Sequence, residues 1–160
     1  MDAHHARCDG ARQGAGGGFP VGACLATERA AQGMVAGTHG STFGGNPLAM
    51  AATNAVLDVL LEPGFLPRVE IVANALHRRI AAIAKAYPRI FSEVRGKGML
   101  VGFRCVVSNA EVMERLRDAG LLTVAAGENV VRLLPPLIID ESHVAEAGDI
   151  IERVARQWTH

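Results

Sequence analysis

The fold class is decided by the stretch IFSEVRGKGMLVGFRCVV, residues 90–107. Residues 90–94 and 99–107 are mostly apolar stretches of strand length, and Arg95-Gly96-Lys97-Gly98 between them is typical of a hairpin turn. The stretch therefore predicts two strands joined by that turn. What lies on either side of this strand pair determines how its faces are covered.

Upstream, apolar residues recur every three or four positions over residues 67–87, which predicts an amphipathic helix. Asn46-Pro47 predicts the start of an earlier helix, because asparagine caps helices and proline is tolerated in the first turn. Pro63-Gly64 ends that helix. Residues 19–45 are interpreted as loops with one short strand or turn of helix.

Downstream, Ser108 and Glu111 have capping-box spacing and predict a helix that ends near Gly120. A second strand pair is predicted over residues 121–124 and 129–134, and Asp140 or Ser142 caps a final helix that carries Trp158. The predicted order is helix, helix, strand, strand, helix, strand, strand, helix. It favours an α+β layer with a mixed or antiparallel sheet over residues 62–160.

Composition excludes several function classes. The chain has 160 residues, and its 16 basic residues balance its 16 acidic ones, whereas nucleic-acid-binding proteins carry a basic excess. No apolar run approaches the roughly 20 residues of a membrane span, and the N-terminus has no signal-peptide pattern. Cys8, Cys24 and Cys105 are widely spaced and predict a reducing, cytoplasmic setting without disulfides.

The glycine run over residues 14–18 is the first candidate motif. It fails the dinucleotide pattern because Phe19 stands at the last glycine position, and it lacks the ending of a P-loop. Taken alone, this run favours a flexible loop over a phosphate cradle.

The second candidate motif is THGSTFGGNP, residues 38–47. The hydroxyls of Ser41 and Thr42 lie among glycines ahead of a helix N-terminus, an arrangement that suits a phosphate or a carboxylate. A turn followed by a cap is the alternative. It explains Asn46 and Pro47 but leaves His39, Ser41 and Thr42 without a reason.

The third candidate is Arg132, inside the apolar run VVRLLPP, residues 130–136. A buried arginine must be paired, and a guanidinium binds a substrate carboxylate as well as it binds Asp or Glu. Both alternatives stay open. His4, His5 and Cys8 lack a fourth ligand at zinc-type spacing, so no metal site is predicted.

Together the three blocks, residues 14–23, 38–47 and 130–137, closely resemble the C-terminal part of the class III pyridoxal-phosphate-dependent aminotransferases. The most similar branch is that of the acetylornithine aminotransferases, followed by the ornithine-type transaminases. The resemblance covers about residues 13–158.

The resemblance implies a fold-type-I transferase with a large domain, a small C-terminal α/β domain and a cytoplasmic homodimer. Residues 1–45 would be a remnant of the large cofactor-binding domain, 46–61 a connecting helix, and 62–160 the small domain. Thr42 matches the threonine that binds the phosphate of pyridoxal 5'-phosphate across the dimer interface. Ser41 matches a substrate-contacting serine, and Arg132 matches the arginine that binds the substrate α-carboxylate.

One position departs from the family pattern. The family motif is Lys-Gly-x-Gly-Gly-Gly-Phe-Pro, and Gln13 stands where that lysine forms the Schiff base. An amide supplies neither covalent capture nor a general base. The chain has two lysines, Lys85 and Lys97, and neither is placed by the sequence to substitute.

We therefore expect a C-terminal fragment of an acetylornithine-aminotransferase-like protein. The parent reaction is amino transfer from N-acetylornithine to 2-oxoglutarate in arginine biosynthesis, and the isolated chain is expected to be inactive. The alternative is a non-catalytic binding or assembly module that pairs with a full-length homologue. Neither hypothesis involves nucleic acid or a membrane.

Overall fold

A computed structural model describes residues 8–11 and 13–158, with side chains from Gly14 onward. The chain divides into two compact units, and the division falls between Phe65 and Leu66. Each unit has its own secondary structure and its own pattern of burial.

The first unit holds two short antiparallel strands, β1 (Cys8–Ala11) and β2 (Ala23–Ala26), with Cys8 opposite Ala26. A 3-10 helix (Gln13–Gly16) lies between them, and α1 (Glu28–Ala31) and α2 (Pro47–Leu60) follow. The segment predicted to hold one short strand or turn of helix contains both β2 and α1. Strand β1 was not predicted.

Helix α2 begins where the sequence predicts. The side chain of Asn46 accepts a hydrogen bond from the Ala49 backbone N–H at 2.9 Å, and Pro47 occupies the first turn, where its missing N–H costs nothing. Among the described side chains of the first unit, Ala49 is the single buried hydrophobic one. This unit therefore has little hydrophobic core of its own.

The second unit is a four-stranded sheet with three helices. The sheet order is β3-β4-β6-β5, and every pairing is antiparallel, which resolves the predicted choice between a mixed and an antiparallel sheet. The elements are α3 (Phe65–Ala86), β3 (Phe91–Lys97), β4 (Leu100–Cys105), α4 (Asn109–Asp118), β5 (Val124–Ala126), β6 (Val130–Leu133) and α5 (Glu141–Arg156).

One face of this sheet forms the core. Alternate residues of a strand share a face, and Val101, Phe103 and Cys105 of β4 are buried on the same face as Val131 and Leu133 of β6. Helices α3 and α5 contribute the apolar residues that are buried with them, which are Val72, Leu76, Ile80, Ile83, Val144, Ile151 and Val154.

Four local predictions need correction. Trp158, which was predicted to lie on the final helix, follows α5, because that helix ends at Arg156. The first hairpin turns later than predicted, because β3 continues through Arg95 to Lys97. Its pairing with β4 extends to Lys97 opposite Leu100, which leaves Gly98 and the next residue to form the turn. The predicted turn residues 95–97 are thus part of a strand.

The predicted capping box at Ser108 is wrong. Ser108 is the N-cap residue of α4, but its side chain makes no capping hydrogen bond. Glu111, the expected reciprocal partner, instead accepts a hydrogen bond from Arg115 at 2.8 Å, one turn further along the helix. A capping box does form at α5, between Asp140 and His143.

The strand predicted over residues 121–124 is also misplaced. The Leu121 N–H bonds back to the Leu116 carbonyl at 2.8 Å and the Gly120 N–H to the Arg117 carbonyl at 3.0 Å. These two bonds form a Schellman ending for α4. The chain is therefore still closing the helix at Leu121, and β5 starts only at Val124.

The reactivity of the buried Cys105 can be used to test whether the second unit is folded. Burial raises the pKa of the Cys105 thiol to about 11, whereas Cys24 is exposed. Because the thiolate is the reactive form, we expect iodoacetamide at pH 8 to alkylate Cys105 roughly a hundredfold more slowly than Cys24. Peptide mass spectrometry measures both sites, and urea should abolish the difference. Equal rates in native protein would contradict the buried placement of Cys105.

No helix of the described residues 8–11 and 13–158 combines the length and hydrophobicity that crossing a bilayer requires.

Candidate functional site

The first candidate site is the turn before α2. The Gly44 N–H donates to the Ser41 carbonyl at 3.3 Å, and the Asn46 side-chain amide donates to the Phe43 carbonyl at 2.7 Å. These bonds close the turn with backbone carbonyls as acceptors. Within the described part of the chain the hydroxyls of Ser41 and Thr42 make no hydrogen bond, and both residues are exposed.

The turn is thus built by Asn46 and Pro47, as the capping alternative predicts, but it does not use the two hydroxyls. Thr38 differs from them, because its hydroxyl donates to the Val35 carbonyl at 2.7 Å. Ser41 and Thr42 are consecutive and remain available to an anionic ligand. The structure brings these two predicted residues together.

The glycine run contains a 3-10 helix and a turn that approaches α2 closely. Gly17 has a φ of +59°, and a Cβ there would lie 2.9 Å from Val56 Cγ2 on α2. Glycine is therefore needed for close packing of this segment against α2. Gln13 is the first residue of the 3-10 helix that opens the run. The structure describes its backbone but not its side chain.

Arg132 is placed by strand register. It lies opposite Gly102 of β4 and Val124 of β5, so its side chain leaves the sheet on the face opposite to the buried Val131 and Leu133. Its Nε atom is buried and has no hydrogen-bond partner, and Arg132 forms no ion pair with any residue between 14 and 158.

The carboxylates of Glu93 and Glu128 are bonded to a different arginine. Arg95 bonds Glu93 at 2.8 Å and Glu128 at 2.6 Å. The hydrogen bonds from Arg95 hold the pKa of both carboxyls below its ordinary value. The same bonds, that of Glu93 first, raise the pKa of Arg95. Glu93 and Glu128 therefore bind Arg95, and within the described residues the structural salt bridge considered for Arg132 is not formed.

Two further residues were missed by sequence reasoning. Thr123 precedes the cross-strand neighbour of Arg132, and its hydroxyl oxygen is also buried without a hydrogen-bond partner. In the sequence, the only indication of this residue was a single threonine after two leucines.

Arg68 is the second residue. It donates to the carbonyls of Leu137 and Ile139 at 3.0 Å each, and it thereby holds the segment that follows β6. Nothing local in the sequence indicates this long-range contact.

The candidate residues are divided between the two units. Gln13, Ser41 and Thr42 belong to the first unit and Arg132 to the second. Lys85 and Lys97 are both exposed residues of the second unit. His4 and His5 lie outside the described residues, as does the side chain of Cys8. Among the residues that the structure describes, no group of His, Cys, Asp and Glu could hold a metal ion.

Known proteins with similar sequences belong to one family. The family model of the class III aminotransferases matches residues 10–155. Acetylornithine aminotransferase from Brucella melitensis is 53% identical over 140 residues, which are 88% of this chain and 35% of that protein. The corresponding enzyme of Mesorhizobium japonicum is 54% identical over 144 residues, covering 90% of this chain and 36% of its own length.

Solved structures show the same relationship. Acetylornithine aminotransferase from Elizabethkingia anophelis superposes with a TM-score of 0.80 at 33% identity, over 90% of this chain and 39% of that one. Ornithine aminotransferase from Plasmodium yoelii gives a TM-score of 0.84 at 28% identity, over 93% of this chain and 40% of its own. The chain thus spans little more than a third of the length of the relatives it matches.

Proposed function

The chain belongs to the class III aminotransferase family, and on this basis we propose that it corresponds to the C-terminal part of an acetylornithine-type aminotransferase. In this proposal it retains anion-binding residues of the enzyme but does not catalyse transamination alone. The parent reaction would be amino transfer from N-acetylornithine to 2-oxoglutarate in arginine biosynthesis, by a homodimer.

The observation that carries the proposal is that Arg132 forms no ion pair with the described residues 14–158 and that its buried Nε has no hydrogen-bond partner there. A partly buried arginine without an ion pair is costly unless a ligand supplies the negative charge. Its Nε lacks a partner, and the carboxylates of Glu93 and Glu128 are bonded to Arg95. A carboxylate of an amino-acid substrate would satisfy the fork of donors that Arg132 presents.

Thr42 and Ser41 are proposed as the second anion-binding element. Their hydroxyls are exposed in a glycine-containing turn ahead of the N-terminus of α2, and helix N-termini favour negative charge. In the proposal Thr42 binds the cofactor phosphate and Ser41 contacts the substrate.

The residues of the described chain fit only part of pyridoxal 5'-phosphate. Thr42 suits the phosphate, but no described lysine suits the aldehyde, because Lys85 and Lys97 are exposed residues of the second unit. Gln13 occupies the family lysine position, and an amide nitrogen is not a nucleophile towards a carbonyl. Covalent attachment of the cofactor at its family position is therefore not supported by this chain.

Substrate-carboxylate binding predicts a specific mutational effect. Titration of the 15N-labelled chain with N-acetylornithine should shift amides of β6 and of its register neighbours Gly102 and Val124. We expect Arg132→Gln to weaken that binding by about tenfold or more, because a charge-assisted hydrogen bond contributes roughly 1.5–3 kcal/mol.

The matched control is Arg104→Gln. Arg104 lies opposite Val130 on the same face of the sheet, so its loss removes one positive charge without removing the Arg132 fork. Affinity should stay within about twofold for this control. Equal weakening by both substitutions would show that general positive charge, rather than Arg132, binds the ligand.

The second prediction concerns turnover. Purified chain mixed with pyridoxal phosphate and N-acetylornithine should transfer no amino group to 2-oxoglutarate, since Gln13 cannot form the Schiff base. After borohydride reduction, peptide mapping should find adducts only at the exposed Lys85 and Lys97 or at the N-terminal amine, with no spectrum of a single enclosed site. Measured transfer by the isolated chain, with the intact Brucella relative as positive control, would refute this part of the proposal.

The domain assignment follows the same family correspondence. We propose that residues 1–45 belong to the cofactor-binding domain, 46–61 to a connecting helix and 62–160 to the small domain. A cytoplasmic location, which the wide spacing of the three cysteines in the sequence favours, completes the proposal.

A second candidate function is assembly with a homologue. It is favoured by the exposed apolar side chains of the first unit, Phe43 at 80% and Leu61 at 77% among them, since large exposed apolar patches mark interaction sites. Immobilised chain should retain the intact Brucella acetylornithine aminotransferase, with Thr42→Ala as a variant that leaves those apolar side chains unchanged. No retention would leave only the first proposal.

A further inference from the structure

Two arginines lie in one row across the sheet of the second unit. Gly102 of β4 is opposite Arg95 of β3 on one side and opposite Arg132 of β6 on the other. Directly opposed residues project from the same face, and neighbouring strands are roughly 4.8 Å apart, so the two arginines leave that face about 10 Å from each other. Gly102 places no side chain between them. Arg95 is therefore a second cation within reach of a ligand that Arg132 binds.

A carboxylate of the β5–β6 turn holds this second cation. Nη1 of Arg95 donates to Glu128 at 2.6 Å, and its Nη2 lies 2.8 Å from Glu93. Glu128 precedes Val130, the first residue of β6, whereas Arg132 lies further along that strand. The bond to Glu128 therefore directs the Arg95 guanidinium towards the turn instead of towards Arg132.

Glu128 adopts a backbone conformation that disfavours glutamate. Its φ is +59°, in the left-handed region where a Cβ is crowded and which glycine adopts freely. Its neighbour Asn129 has a φ of +60°, but asparagine is common in this region. The Asn129 side chain also fixes the turn, because it donates to the carbonyls of Cys105 and Val107 at 2.7 Å each. The Glu128 carboxylate, by contrast, bonds an arginine of the other hairpin.

The bond between Glu128 and Arg95 does little to offset this strain. The Arg95 side chain is 40% exposed and that of Glu128 is 65% exposed, and ion pairs between exposed side chains contribute little to stability. Glycine at position 128 would relieve the strain and lose only this weak pair. Strained residues whose contacts add little stability are concentrated at functional sites.

We propose that Glu128 is a specificity-determining residue, which withholds Arg95 from the ligand of Arg132 so that this sheet face recognises one carboxylate and not two. The inference rests on the proposed function. In the parent reaction N-acetylornithine has one carboxylate and 2-oxoglutarate has two, and the α-carboxylate is the one they share. A face that binds only the shared group accepts both molecules, whereas a second available guanidinium favours the diacid.

The experiment compares two ligands that differ only at one end, 2-oxoglutarate and 2-oxopentanoate, whose five-carbon chain ends in a methyl group instead of the distal carboxylate. NMR titration of the 15N-labelled chain gives the dissociation constant of each. We expect Glu128→Gln to raise the preference for 2-oxoglutarate over 2-oxopentanoate about fivefold, because the released Nη1 of Arg95 can donate to the distal carboxylate. An unchanged preference would overturn the inference.

A double substitution tests whether Arg95 carries the effect. In an Arg95→Gln background, Glu128→Gln should leave the preference unchanged, because the two residues act through one contact. The matched control is Glu111→Gln, which removes the same charge from α4, where Glu111 bonds Arg115. It should also leave the preference unchanged. An increase that persists without Arg95, or that Glu111→Gln reproduces, would assign the effect to general charge and overturn the inference.

Stability distinguishes this role from a structural one. Glu128→Gly should raise the preference for 2-oxoglutarate as Glu128→Gln does. Its midpoint of urea unfolding should not fall, since glycine relieves the strain at position 128. A lower midpoint together with an unchanged preference would assign Glu128 a structural role instead and overturn the inference.

Arg132→Gln separates failure of this inference from failure of the proposed function. If Arg132→Gln weakens binding of 2-oxopentanoate while Glu128→Gln leaves the preference unchanged, the inference alone is wrong. If Arg132→Gln leaves binding of 2-oxopentanoate unchanged, carboxylate binding by Arg132 is itself wrong, and the inference fails with it.

Discussion

Replacing Phe103 with alanine is expected to lower the free energy of unfolding of the second unit by about 3–5 kcal/mol, the range for loss of a buried aromatic side chain. Phe103 is 1% exposed in β4, a central strand of the sheet. Its ring meets that of Phe91 edge to face, with centroids 5.0 Å apart. Alanine would remove this contact and leave a cavity beneath α3 and α5.

Urea unfolding followed through Trp158, the single tryptophan of the chain, measures this loss. Trp158 stacks on Arg115 with the guanidinium 4.1 Å from the ring centre, so its fluorescence reports on packing between α4 and the segment that follows α5. The matched control is Phe43→Ala, because Phe43 is 80% exposed; its effect should stay within about 0.5 kcal/mol. Similar losses in both variants would contradict the placement of the core.

The second large effect is expected at Gly96, where alanine should cost about 2–4 kcal/mol. Gly96 has a φ of +121°, a conformation that residues with a side chain rarely adopt. A Cβ there would also overlap the carbonyl oxygen of Leu100 and lie 3.0 Å from its carbonyl carbon. Backbone strain at residue 96 and steric overlap with Leu100 thus both destabilise the alanine variant. The Leu100 backbone cannot move away without breaking the β3–β4 pairing.

Gly98 in the same hairpin provides the comparison. It has a φ of +59° with nothing within 4 Å of its Cβ position, so Gly98→Ala should cost only about 1–2 kcal/mol, the strain of the left-handed conformation. The difference between the two variants in urea unfolding isolates the overlap with Leu100. If Gly98→Ala were the more damaging variant, the observed register of the hairpin would be wrong.

Much of the fold could be predicted because its signals are local. Asn46 and Pro47 start α2 as predicted, and the apolar periodicity over residues 67–87 matches α3 to within two residues. Capping and periodicity depend on residues three or four apart. Prediction failed at Ser108 and at residues 121–124, where a competing contact between nearby groups, the Glu111–Arg115 pair and the Schellman bonds, decided the outcome.

The candidate site divides in the same way. Gln13, Ser41, Thr42 and Arg132 were identified by residue type and motif spacing, which are properties of the sequence. Whether Arg132 is paired could not be read from it, because the answer depends on which strands lie beside β6. Register places Gly102 and Val124 opposite Arg132, while Glu93 and Glu128 bond Arg95.

The sequence by itself determined the family and the α+β class, because both are written in residue identity and short-range spacing. Only the tertiary structure decided that Arg132 forms no ion pair with the described residues 14–158 and that the glycine run packs tightly beside α2. Each of these facts depends on whether residues far apart in the chain contact one another. Burial and pairing are properties of the packed surface, which residue order does not state.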